Sequence, residues 1–218
     1  MRIDDSVVTE FQGENYMLRR ARGFAPQPIL LTSSAPMLLA VGAELKNTFC
    51  LSKDRYAFLS HHIGDLENAE TLRSFEEAID HYERIFRVKP QAIANDLHPD
   101  YLSSQYATER ANREGIPLIK IQHHHAHLAS CLVDNNWNSH QPVIGVIFDG
   151  TGLGTDGAIW GGEFLVGNYA SFERKVHLAY VPQPGADSAI RNPYKMALAH
   201  LWNANLPWSE KLSPTQFL

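Results

Sequence analysis

Cysteine is scarce in this chain: Cys50 and Cys131 are the only two among 218 residues. That excludes a disulfide framework, and both lie in apolar surroundings, so buried free thiols in a reducing compartment are expected. Basic charge is also short, with 19 Lys and Arg against 24 Asp and Glu and a net charge of -5. A protein that bound nucleic acid by neutralising its backbone would need a basic face, so no nucleic-acid partner is expected. No apolar run approaches the ~18 residues of a membrane span. The start, Met1-Arg2-Ile3-Asp4-Asp5, lacks the apolar centre of a secretory signal. No membrane association is expected, and the location expected is cytoplasmic. An apolar content of 44% with 20% charged residues suffices for one large domain or two small ones.

Histidine, by contrast, is concentrated. Ile121-Gln122-His123-His124-His125-Ala126-His127 places four histidines in five positions, after the apolar run 116–121 and before Leu128-Ala129-Ser130-Cys131-Leu132-Val133. If the second stretch is helical, His123 and His127 stand at i and i+4, one turn apart on one face. Two imidazoles at that spacing are either the helical half of a metal site or a polar helix start.

The rest of the chain alternates strands and helices. Ser6-Val7-Val8 and Tyr16-Met17-Leu18 read as small strands around Gly13-Glu14-Asn15, and Arg19-Arg20-Ala21-Arg22-Gly23 followed by Pro26 and Pro28 reads as a domain end and linker. Strands are predicted at 37–42, 48–51 and 56–59 as a meander turning at Lys53-Asp54. The turn Gly42 to Thr48, with Lys46 and Asn47, can offer donors to a phosphate. Apolar residues from Leu66 to Phe86 recur at helical spacing. A short strand, Ala92-Ile93-Ala94, ends at Asn95-Asp96-Leu97-His98-Pro99. That end is either a ligand-bearing sheet edge or a turn capping a helix from Asp100 to Arg113. Strand 116–121 and the histidine helix follow, which makes a parallel or mixed sheet covered by helices.

A second informative stretch follows the strand Val143 to Phe148. It is Asp149-Gly150-Thr151-Gly152-Leu153-Gly154-Thr155-Asp156-Gly157, and a further strand runs from Ala158 to Val166. A carboxylate at a strand tip, then four glycines in eight positions, makes a turn whose backbone phosphate can approach closely. Strand–turn–strand is not the strand–turn–helix of a dinucleotide fold or Walker loop. What remains is the hairpin phosphate loop of actin-like ATPases, so the fold class expected is α/β, an actin-like (ribonuclease H-like) two-lobed fold, truncated in its second lobe. A helix Ala189 to Trp202, capped by Asp187 or Ser188 and with Pro193 in its first turns, closes the chain.

Seven stretches carry a resemblance: Arg19–Gly23, Val41–Leu51, Ser60–Glu67, Asp96–Tyr101, Gln122–His127, Phe148–Gly154 and Trp160–Glu163. In this order they resemble the HypF-type carbamoyltransferases of nickel–iron hydrogenase maturation. The resemblance implies a division into residues 1–28, the tail of a YrdC-like domain; 29–142, the first lobe of a carbamoyltransferase domain; and 143–218, the start of its second lobe. It implies transfer of a carbamoyl group from carbamoyl adenylate, made from carbamoyl phosphate and ATP, to the C-terminal cysteine of a HypE-type partner. The product leads to the cyanide ligands of the hydrogenase. It makes His123, His127 and Asp149 ligands of a divalent metal, iron or zinc, with a further carboxylate ligand beyond Leu218. Gly150, Thr151 and Gly152 would hold the nucleotide phosphate, with Lys46 and Asn47 opposite. Gly185-Ala186-Asp187 departs from the Gly-Gly-Asp more usual there. The alternatives are a related O-carbamoyltransferase, the tRNA threonylcarbamoyl transferase, and a fragment that binds metal or nucleotide without turnover; the chain alone is expected to be nearly inactive.

Overall fold

A computed structural model describes residues 4–217. Strands β1 (Val7–Phe11) and β2 (Glu14–Arg19) form an antiparallel hairpin. Its two linking residues, Gln12 and Gly13, both have positive φ, as a turn matched to strand twist requires. The hairpin is mostly exposed. The segment after it is fixed, with Ala21 fully buried and the His62 amide donating to the Arg20 carbonyl.

A four-stranded sheet follows, ordered β4-β3-β5-β6. Strands β3 (Ile29–Ala40) and β4 (Cys50–Leu59) are antiparallel; β5 (Ala92–Asp96) and β6 (Leu118–Ile121) continue the sheet in parallel. The predicted meander is a correction: Lys53-Asp54 lies inside one long strand. Asp54 takes a positive φ opposite Ala35, at an irregularity of the β3–β4 ladder. The ladder also absorbs Pro36, because β5 pairs β3 only at Leu38–Ala40 and leaves Pro36 without a parallel neighbour needing its missing N–H.

Helix α1 (Ala69–Phe86) lays Phe75, Ala78, Ile79 and Tyr82 on the sheet, where Leu39, Val41, Phe49, Leu51 and Ile93 complete the core. Helix α2 (Leu102–Glu114) links β5 to β6 and stops at Gly115, whose φ of 66° is the left-handed cap that ends helices. Helix α3 (His123–Asp134) follows β6 directly. The two cysteines differ from expectation. Cys50 is half-buried, but Cys131 is exposed, because α3 turns His124, Leu128 and Leu132 inward and Cys131 lies to one side of that face.

The second sheet is antiparallel, ordered β7-β8-β9. Strand β7 (Val143–Leu153) does not end at Phe148 as predicted. It passes through Asp149, Gly150 and Thr151 and pairs again with β8 (Ile159–Gly167) beyond them. Phe148 faces Gly162 and Gly152 faces Trp160, so three residues of β7 oppose the single Gly161. Glycine on both sides makes this wide bulge possible. The tight turn lies farther on, closed by the Gly154 amide on the Ala158 carbonyl at 2.8 Å. Strand β9 (Phe172–His177) has no counterpart in the sequence reading.

The closing helix is also corrected. It is two helices, α4 (Asp187–Arg191) and α5 (Pro193–Asn203). Pro193 offers no N–H and forces Asn192 out of helical geometry. The residue ahead of α4 is Ala186, with no side-chain cap. No described helix is long and apolar enough to cross a membrane.

Asn68 starts α1 by accepting the amides of Glu70 at 3.1 Å and Thr71 at 2.9 Å. Asn68→Ala is expected to lower stability by about 1 kcal/mol, read as a lower urea midpoint with an unchanged slope.

Candidate metal centre

Two features of the chain bring the histidines to the second sheet. Gln122 caps α3, its side-chain oxygen accepting the His125 amide at 3.0 Å, while its amide group donates to the Leu153 carbonyl at 3.2 Å. The start of the helix is thereby tied to the end of β7. Along the contact, α3 passes over bare backbone. A Cβ on Gly145 would stand 2.9 Å from the Leu128 Cδ1, and one on Gly152 would stand 2.6 Å from the His124 Cε1.

This packing carries the i, i+4 pair to the bulge. His123 Nε2 lies 3.1 Å and His127 Nε2 3.5 Å from Asp149 Oδ2. The three ligand atoms fall within 4.8 Å of one another. Asp149 Oδ1 accepts the Gly150 amide at 2.7 Å, which aims Oδ2 at the imidazoles. That buried Oδ2 nevertheless accepts no well-aligned hydrogen bond. Two nitrogens and a carboxylate oxygen converging without mutual alignment fit a cation between them, and the donor set suits zinc or iron. His127 is half exposed, which leaves an approach from solvent.

The sequence offered Asp96 only as part of a ligand-bearing sheet edge or a turn, with no part in this centre. Parallel pairing sets Asp96, the last residue of β5, beside Ile121, the last of β6. The carboxylate thus meets the first residue of α3, with Oδ2 2.6 Å from His123 Nδ1. The available signal was its place at a strand's carboxyl end, one strand from the histidines.

Asp149 first and Asp96 second raise His123 to about 9, by stabilising its charged form. The close approach of His123 and then His127 holds Asp149 well below the ordinary carboxylate range.

His124 and His125 leave the centre. His124 is fully buried against Gly152, and that burial lowers its pKa. His125 reaches the Asn168 carbonyl at 2.8 Å and packs on Phe172. Both therefore fasten α3 to the second sheet.

The expected nucleotide residues divide. Asp149 and Gly150 line one cavity of about 560 Å³, together with Gly161 and Tyr180; Thr151 and Gly152 line another of about 420 Å³, with His98, Tyr101 and Arg191. The bulge is their shared wall. Gly150 has open space above its Cα, whereas Gly152 is filled by α3. Lys46 and Asn47 line neither cavity; Glu44 and Leu45 of the same turn reach the second. The Asn47 amide is buried and donates to the Val41 carbonyl at 2.9 Å and to that of Ala43, so it holds the turn closed.

A family described as "HypF Kae1-like domain" matches residues 33–134, and "Carbamoyltransferase, Kae1-like Domain, second subdomain" matches 145–216. The chain is 45% identical over 204 residues to "Carbamoyltransferase HypF2" of Cupriavidus necator, covering 92% of this chain and 25% of that protein. It is 44% identical to "Carbamoyltransferase HypF" of Synechocystis sp., covering 92% and 26%. A crystal structure of full-length HypF in the phosphate- and nucleotide-bound form superposes with a TM-score of 0.86 at 49% identity, over 93% of this chain and 26% of that one. That of T. kodakarensis HypF gives 0.85 at 41%, over 93% and 26%. The chain spans about a quarter of the length of these relatives.

Two outcomes follow from the geometry. A raised folded-state pKa means that the His123 contribution to stability is complete below the unfolded value, about 6.5, and is lost as pH rises through about 9. The chelator-treated chain should lose up to about 3 kcal/mol across that window, seen as a falling urea midpoint, and His123→Ala should flatten the fall. Gly152→Ala should push α3 off β7 and weaken zinc binding at least about tenfold, measured by chelator competition, while Gly150→Ala leaves the fold's urea midpoint unchanged.

Proposed function

The chain belongs to the HypF carbamoyltransferase family, and we propose on that footing that it is part of an enzyme that moves a carbamoyl group from carbamoyl adenylate to the C-terminal cysteine of a HypE-type partner. The transfer serves the cyanide ligands of nickel–iron hydrogenase. The observation that carries this reading is the convergence of His123 and His127 from α3 with Asp149 from the second sheet. The proposed frame is the actin-like, two-lobed one, with residues 29–142 in the first lobe and 143–218 in the second. Residues 1–28 are the tail of a preceding YrdC-like domain.

Within that frame the residues divide the work. His123, His127 and Asp149 hold a divalent metal, iron or zinc. When bound it supplies Lewis acidity toward a carbonyl or phosphate oxygen. The open backbone at Gly150 lets the adenylate phosphate come close, and Thr151 and Gly152 form the adjoining wall. Lys46 and Asn47 shape the turn that faces them. The attacking thiolate comes from the partner: its sulfur bonds the carbamoyl carbon as AMP leaves. Burial pushes the Cys50 thiol up to about 12, so it supplies no thiolate near neutral pH. The net charge of -5 favours this protein acceptor over the tRNA of the threonylcarbamoyl transferases.

In the full-length parent, His127→Ala and Asp149→Asn should each lower transfer of labelled carbamoyl to the partner by about 100-fold or more, the loss of several kcal/mol of transition-state stabilisation. Parental rates in both variants would reject the assignment. The 218-residue chain alone is expected to bind metal without measurable transfer.

A further inference from the structure

We propose that Asp96 is a positioning residue for this centre: it holds Nδ1 of His123, so that the ring presents Nε2 to the metal. The inference rests on the metal reading of His123, His127 and Asp149. Three observations support it beyond the contact itself.

The first is the division of the carboxylate. Its side chain is 5% exposed. Oδ1 accepts the His98 amide at 2.9 Å, and Oδ2 faces His123 Nδ1 at 2.6 Å. A buried carboxylate is costly unless paired, and here one oxygen is committed to the backbone and the other to the ring. The carboxylate itself is therefore fixed in place before it fixes anything else.

The second is that Asp96 and Asp149 lie at opposite nitrogens of one imidazole. Nδ1 meets Asp96 in a short, aligned hydrogen bond, whereas the Nε2 contact to Asp149 is longer, at 3.1 Å, and unaligned. A neutral imidazole has one hydrogen to place, and the aligned acceptor keeps it on Nδ1. Nε2 is left with a free lone pair, on the edge of the ring near Asp149 and His127. The order carboxylate–imidazole–metal is a recurrent way to fix a ligand's tautomer and raise its basicity.

The third concerns rotation. The imidazole's terminal torsion is broad and two-fold, so packing alone does not distinguish the ring from its flipped form. The flip would exchange nitrogen for carbon at both edges. A group that recognises Nδ1 selects between the two from the edge away from the metal, and Asp96 is the group in place to do so. Its location follows from the parallel register of β5 and β6, which does not depend on α3.

The test is zinc binding by the chelator-treated 218-residue chain, followed by competition with a chromophoric chelator. The unsubstituted chain should take up one Zn2+, and His123→Ala should abolish uptake. Asp96→Asn should bind 10- to 100-fold more weakly, with circular dichroism unchanged. If the unsubstituted chain takes up no zinc, the metal reading itself fails. If it does, and Asp96→Asn binds within twofold of it, Asp96 has no positioning role and the metal reading stands. Should Asp96→Asn not fold, nitrogen-15 spectra of the zinc-loaded unsubstituted chain decide. Ligation through Nε2 with the hydrogen on Nδ1 is the expected result, and ligation through Nδ1 overturns the proposal.

Discussion

Helix α3 can lie on β7 only where the strand is bare, and Gly145 and Gly152 leave it bare beneath Leu128 and His124. The rest of the centre depends on this close approach. It sets how far the i, i+4 histidines stand from Asp149, and it buries His124 as a spacer between helix and strand. Gln122 reinforces it from the end of the helix through the Leu153 carbonyl. A methyl group added at Gly152 would act on His123, His127 and Asp149 without touching the space between them.

Electrostatics then give the site its sign. His123 stands between two carboxylates, Asp96 behind it and Asp149 in front. Without a metal, the imidazolium is the cation that this pair of acids gathers, which is why its pKa rises. A divalent ion held by His123, His127 and Asp149 would replace the Nε2 proton and bring more positive charge to the same acids. Proton and metal would then compete for His123 Nε2, and the same carboxylates that favour the proton would prepare the ring as a ligand.

How far the sequence foretold this varies with the range of the forces involved. The i, i+4 spacing of His123 and His127 is local, and it was legible. So were the α1 stripe, the Gly115 stop and the strand order around Asp149. Asp96 was not assigned a role, because its partner is set by the register of two parallel strands 25 positions apart, and no local pattern encodes register. Asn47 looked like a donor for a ligand, yet its amide is spent on the turn's own carbonyls. The meander failed for a related reason: Lys53-Asp54 has turn composition, but the long β3 partner holds it in strand. The glycines after Asp149 suggested one continuous turn. Cross-strand pairing at Gly152 and Leu153 carried the strand through them instead.

The bulge in β7 has a bearing on how such a chain can vary over time. Because the ladder resumes at Gly152 opposite Trp160, residues 149–151 form a loop of fixed count inside a strand. A change of side chain at Thr151 leaves that count intact. An insertion or deletion of one residue shifts every position on one side of it to the opposite face of the sheet, carrying Asp149 away from the histidines or Gly152 out from under His124. Drift in this stretch should therefore be permissive in spelling and strict in length, and an alignment gap between 148 and 152 would mark a homologue that has given up the centre.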